Sequence, residues 1–225
     1  MRRRLMQEKL LGKTASLEEL VLPTRISQLL SPMLRGDEMP QNMTFYGIPG
    51  SGKTSCASLI AEAVGDVLWV DASADGRMET VNGVVRDYTK YPPRNGARCK
   101  VVILEEADGL NRWAQQALKR VIEQTEEHIV WLLTTNHIER IQPALLSRCT
   151  PIRFGVIPGI DNTDELRQQL VSNIEVKLGE KLWQSLDRQQ IKKLIAIHYP
   201  DVRSVLRTLQ LLLIQKHAIS ASINE

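Results

Sequence analysis

The stretch Gly47-Ile48-Pro49-Gly50-Ser51-Gly52-Lys53-Thr54 constrains this chain more than any other. It fits the spacing G-x-x-x-x-G-K-[ST], in which glycines let successive backbone N–H groups converge on a phosphate. Its flanks agree. Asn42-Met43-Thr44-Phe45-Tyr46 has the length and apolar content of a short buried strand. Ser55 to Val64 reads as a helix with small and apolar residues on one side, stopped by Gly65. A strand, a glycine turn and a helix N-terminus together place partial positive charge at an anion. Gly47, Pro49, Gly50, Ser51, Gly52 and Ser55 would form the cradle. Lys53 would reach the β- and γ-phosphates of a nucleoside triphosphate, and the Thr54 hydroxyl would sit on Mg²⁺. A second Gly-Lys-Thr, at Gly12 to Thr14, is a decoy, because Gln7 stands where the loop's first glycine would be.

The 225 residues, 43% hydrophobic and 24% charged, suit one large domain or a medium one plus a small one. No apolar run approaches a membrane span. Arg2 to Arg4 give the basic flank of a signal peptide with no apolar core behind it, so a cytoplasmic protein is expected, in the host cytoplasm if the source is viral. Cys56, Cys99 and Cys149 are widely spaced and odd in number, as reduced thiols are. The four histidines lack ligand spacing, and no transition metal is expected. A net charge of +3 permits nucleic-acid binding without arguing for it.

Along the chain, Ser16 and Glu19 have the spacing of a helix start, and Arg25 to Leu30 reads as a short helix that Pro32 should end or kink. Val67 to Asp71 reads as a strand, residues 76–90 as helical, and Lys100 to Leu104 as a strand buried on both faces that runs into Glu105 and Glu106. Asn111 should cap a helix to Thr125; a strand from His128 to Asn136, a short helix over Ile141 to Leu146 and a strand at Ile152 to Phe154 follow. Strands alternating with helices predict an α/β fold, a parallel sheet wrapped by helices. Past Gly155 to Gly159 every element reads as helical: one capped by Thr163 or Asp164, one from Asp187, one opened by Pro200-Asp201. The expected division is an α/β nucleotide-binding domain over 1–157 and a small all-α lid over 158–225. Leu209, Leu211, Leu212, Leu213 and Ile214 cover so much of the last helix that either the other lid helices sandwich it or another subunit meets it, and the subunit is expected.

The glycine loop, Glu105-Glu106-Ala107-Asp108, Thr135-Asn136, Ser147-Arg148-Cys149 and Pro200-Asp201-Val202-Arg203 follow one another in the order seen in AAA+ ATPases of the sliding-clamp-loader family, which the chain resembles over nearly its whole length. The pattern is most similar to the small ATPase subunit of T4-like bacteriophage clamp loaders. The chain departs from it in having Glu105 where Asp is usual, in lacking Tyr-Arg-Pro after Glu8-Lys9, and in ending where the family continues into a helical collar.

The resemblance implies ATP and Mg²⁺ as ligands and assigns further roles. Glu105 would hold a Mg²⁺-bound water, and Glu106 would polarise the attacking water. Asn136, the first sensor, would hold that water near the γ-phosphate. Arg148 would be an arginine finger supplied to the nucleotide of an adjacent subunit, and Arg203 a second sensor borne by the lid. Asp108 reads as a local cap. Arg77, Arg86 and Lys90 are the candidates for DNA phosphate contact. The implied function is ATP-driven opening and loading of a sliding clamp on primed DNA during replication, with other AAA+ subunits, the clamp and primer–template DNA as partners. A helicase-loading or transposition-regulating ATPase is the alternative, as is a nucleotide-binding switch or scaffold with little hydrolysis.

Overall fold

Apolar runs without alternation become strands covered on both faces of one parallel sheet. The computed structural model describes residues 16–38, 41–74, 77–94, 96–125 and 127–222; the features read at Arg2 to Arg4, Glu8-Lys9 and Gly12 to Thr14 lie outside them. Five strands, β1 (Met43–Tyr46), β2 (Gly65–Asp71), β3 (Cys99–Glu105), β4 (Ile129–Thr135) and β5 (Thr150–Arg153), lie in the order β2-β3-β4-β1-β5. Every pairing is parallel. Register sets Asp71 opposite Glu105, and Tyr46 opposite both Thr135 and Arg153. The carboxyl ends of the strands therefore line up at one end of the sheet, where open α/β sheets bind ligands. β4 is buried throughout, whereas β2, at the sheet edge, leaves Val67 and Trp69 partly in solvent.

The sheet unit comprises Thr24–Ile48 and Lys53–Phe154. Its helices are α1 (Thr24–Arg35), α2 (Lys53–Val64), α3 (Met78–Thr80), α4 (Arg86–Thr89), α5 (Arg112–Gln124) and α6 (Pro143–Leu146). A π-helical turn, Val81–Val85, joins α3 to α4. Val81, Val85, Leu104, Leu118, Trp131 and Leu133 share one core. Asn111 caps α5, its Oδ1 accepting the Ala114 N–H at 2.9 Å. Two local expectations fail. Residues 16–20 form a turn instead of starting a helix, with Leu20 N–H donating to Leu17 O at 3.1 Å; Pro23 leaves too little chain to nucleate one. α1 runs through Pro32 to Arg35. The buried stripe of Ile26, Leu30 and Met33 spans the proline, and that burial outweighs one missing backbone hydrogen bond.

The second compact unit gathers residues 16–23, Pro49–Gly52 and 155–222 of the described chain. It holds α7 (Thr163–Leu178), α8 (Glu180–Gln184), α9 (Arg188–His198) and α10 (Val202–Ser222). Leu166, Leu170, Ile174, Ile195, Leu209 and Leu213 belong to its core. The cap of α7 is Asn162, whose Oδ1 accepts the Glu165 N–H at 3.3 Å, one residue earlier than expected. Asp187 caps α9 through Gln189 N–H at 2.8 Å. α8 was not legible in the sequence; Gly179, at φ 76°, breaks the helical run before it. Part of the apolar girth of α10 is covered within its own unit: Leu209 and Leu213 are buried by the unit's helices, and Leu211 alone of that run is exposed, at 60%. Among the described residues no helix is long and apolar enough to cross a membrane.

Candidate functional site

Lys53 opens α2 and is buried, although it is a lysine. Its Nζ donates to the carbonyls of Gly47 at 2.9 Å and Ile48 at 2.8 Å, and to Asn136 Oδ1 at 2.8 Å. The expected phosphate lysine and the expected sensor amide thus meet, although 83 residues separate them. Parallel pairing of β1 with β4 brings this about, by setting their carboxyl ends, Tyr46 and Thr135, side by side. Gly47, at φ 144°, tolerates no side chain, since a Cβ there would stand 2.4 Å from Phe154 O.

The Thr54 hydroxyl donates to Glu105 Oε1 at 2.8 Å, so the two residues expected at Mg²⁺ also meet. A hydroxyl beside a carboxylate is a hard oxygen pair of the kind Mg²⁺ takes, and the pair fits that ion. The second Glu105 oxygen, Oε2, accepts from Trp69 Nε1 at 3.1 Å. Sequence reading missed Trp69; the only trace is that it lies two residues before Asp71 on β2, and so on the strand face of the residue opposite Glu105.

Glu106 is exposed at the end of β3, with φ 51° and ψ 48°. This left-handed conformation is costly for a residue with a Cβ and clusters at functional sites. Its N–H donates to Thr134 Oγ1 at 3.3 Å, and its carbonyl accepts Gly109 N–H at 2.7 Å. Asp108 is not a helix cap. Its Oδ1 accepts the Thr135 hydroxyl at 2.6 Å, fastening the turn after β3 to the end of β4. Gln115, buried, joins the same region: Nε2 donates to Leu110 O and Arg140 O, both at 3.1 Å, and Oε1 accepts Gln142 N–H at 2.7 Å.

Ser55 stands in the first turn of α2. The loop tip, Pro49–Gly52, groups with the helical unit. There Gly50, at φ 73°, lies so near α10 that a Cβ on it would be 1.9 Å from Asp201 Oδ1 and 3.1 Å from Arg203 N. Asp201 caps α10, with Oδ1 accepting Ser204 N–H at 3.0 Å and Oδ2 accepting the Ser204 hydroxyl at 2.7 Å. The Pro200-to-Arg203 stretch thus abuts Gly50, and Arg203 is exposed.

Arg148 is folded back. Nη1 donates to Ala144 O at 2.5 Å and Ser147 Oγ at 3.0 Å, and Nη2 pairs with the Glu123 carboxylate of α5, leaving the side chain 26% exposed. Arg77, Arg86 and Lys90 are exposed along the segment that spans α3 and α4, and Lys90 is ion-paired with Asp87 at 2.6 Å. The three cysteines are free and buried, and burial pushes the Cys149 thiol up to about 11 and Cys56 higher still.

Residues 43–155 match the family model described as ATPase family associated with various cellular activities (AAA). The chain is 34% identical over 175 residues to replication factor C subunit 3 of Saccharomyces cerevisiae, covering 75% of this chain and 49% of that one. It is 32% identical over 202 residues to human replication factor C subunit 5, covering 87% and 56%. The chain spans about half the length of the curated relatives it matches. Among solved structures, the Aeropyrum pernix ORC1 protein in complex with DNA superposes with a TM-score of 0.64 at 20% identity, covering 94% of this chain and 64% of that one. A RuvB variant from Thermotoga maritima gives 0.63 at 17%, covering 88% and 63%. These structures share the fold.

Proposed function

Because the chain belongs to the AAA ATPase family, we propose that it binds ATP with Mg²⁺ at the glycine loop and hydrolyses it as one subunit of a clamp-loader-like assembly on primed DNA. The observation that carries this is the double contact of the loop: Lys53 on Asn136 and Thr54 on Glu105, with Glu106 next in the chain. Lys53 neutralises phosphate charge by exchanging its loop carbonyls and Asn136 Oδ1 for phosphate oxygens. That exchange frees the Asn136 amide to orient a water, and Glu106 takes a proton from that water as its oxygen bonds to the γ-phosphorus and the bond to the departing ADP breaks. Thr54 would hold Mg²⁺ and Glu105 a water bound to it, and the ion would supply further charge neutralisation for the transferring phosphoryl group. The division into a nucleotide domain over 1–157 and a lid over 158–225 belongs to the same proposal, with Arg203 as the lid's sensor of the γ-phosphate.

The names of the curated relatives, replication factor C subunits, support a role in loading a sliding clamp at primer–template DNA together with other AAA+ subunits. The finer likeness to the small ATPase subunit of T4-like bacteriophage clamp loaders, and a host-cytoplasmic location with it, rests on the order of the motifs. In such an assembly Arg148 leaves Glu123 and stabilises the transferring phosphoryl group of the neighbouring subunit, while Arg77, Arg86 and Lys90 meet DNA phosphates irrespective of sequence.

Steady-state hydrolysis over a range of protein concentrations, with and without primer–template DNA, tests the proposal. The rate should rise more steeply than protein concentration and increase with primed DNA. R148A should lower it by about 1,000-fold or more while leaving ATP binding intact. A low rate, strictly proportional to protein and indifferent to DNA and to R148A, would overturn it.

A further inference from the structure

Glu105 has one more rotatable bond than an Asp at the same place, and at a strand end nothing in the backbone chooses its rotamer. Two side chains choose it here. Thr54 on α2 engages Oε1, and Trp69 on β2 engages Oε2. Trp69 pairs in register with Ile103, two residues before Glu105 on the adjacent strand, and points to the same face. Two residues of strand span about 6.6 Å, a gap that an indole bridges and a shorter polar side chain does not. The indole N–H is a donor only. It can restrain a carboxylate oxygen but can never take that carboxylate's place as a ligand. Trp69 is also 41% exposed, an expensive place for a residue whose body favours burial, and its hydrogen bond is the feature that the exposed position provides.

We propose that Trp69 is a positioning residue for the metal side of the nucleotide site, holding Glu105 by one oxygen so that the other stays turned to Thr54 and Mg²⁺. This rests on the role proposed above for Glu105. It makes the Glu at 105 and the Trp at 69 a matched pair, because a shorter carboxylate at 105 cannot span both partners.

The indole N–H signals of the ¹⁵N-labelled chain give a test that needs no turnover. The chain has four tryptophans, and the signal lost in W69F belongs to Trp69. That signal should move upfield in E105D, as a charge-assisted bond is lost, with the other three in place as a check on folding. The second readout is binding of a fluorescent non-hydrolysable ATP analogue. W69F should raise the Mg²⁺ concentration for half-maximal binding about 3- to 10-fold, the size expected for one ordinary hydrogen bond. Affinity in EDTA should change less than about 2-fold, since a general structural loss would weaken both. In the E105D background, W69F should add less than about 2-fold. A Trp69 signal that ignores E105D, or an equal W69F effect in both backgrounds, overturns the proposal. If E105A shifts the Mg²⁺ requirement and W69F does not, only the positioning role of Trp69 fails. If E105A itself leaves the requirement unchanged, the metal-side role of Glu105 fails, and the proposal with it.

Discussion

Glu106 is the single non-glycine residue with positive φ among those described, and a left-handed residue with a Cβ costs about 1–2 kcal/mol. The strain at Glu106 and the proposed role of its carboxylate can be separated by substitution. E106G should therefore raise stability by about 0.5–1 kcal/mol in urea titrations, the relief of strain less the added entropy of glycine, and should lower hydrolysis by about 100-fold or more. E106A should lose hydrolysis without gaining stability, and a destabilised E106G would refute the strain account. Residues such as Lys53, Thr54, Glu105 and Asn136 were legible in the sequence because each is fixed by a spacing or by the end of a recognisable strand. Trp69 and Glu123 were not, because their importance lies in partners 36 and 25 residues away that only sheet register and helix packing bring near. The cap of α7 slipped by one residue for a different reason: Asn162, Thr163 and Asp164 are all competent caps, and local propensity does not rank them.

Gln115 does for whole elements what those residues do for the site. From the buried face of α5 it closes the carbonyls of Leu110 and Arg140 and the N–H of Gln142, so the segments that follow β3 and β4 and lead into α6 are tied to one amide. Q115L keeps the volume but strands three backbone groups, and should cost about 2–3 kcal/mol in urea titrations. A loss below about 0.5 kcal/mol would mean that water replaces the amide. Elements with strong period or turn chemistry, β3, β4 and α5, were legible to within a residue or two. α1 was not, because tertiary burial of Met33 overrode the helix-breaking tendency of Pro32. The helical stretch from Met78 to Thr89 was read, but not its π-helical middle, for which sequence carries no simple period.

At the scale of the molecule, the alternation of strands and helices gave the parallel sheet and the all-helical C-terminal part, but not the membership of the loop tip, which is a matter of contact and not of order along the chain. Gly50 and Asp201 make that membership specific. D201A removes the cap of α10 and should cost about 1 kcal/mol, with the first amides of α10 losing hydrogen-exchange protection. G50A meets both a left-handed φ and a carboxylate, and should cost about 2 kcal/mol or more. Denaturation of G50A, D201A and the double variant should show a favourable coupling of about 1 kcal/mol, as D201A makes room for the new methyl; strict additivity would argue that backbone strain alone sets the cost. The same adjacency decides which variant can serve as a nucleotide-free control. A substituted Gly50 also disturbs the start of α10, so any phenotype it gives mixes lost phosphate binding with a disturbed helix. Lys53→Ala instead takes away a side chain that meets the Gly47 and Ile48 carbonyls and Asn136, all within the sheet unit, and leaves Gly50 as it is beside α10.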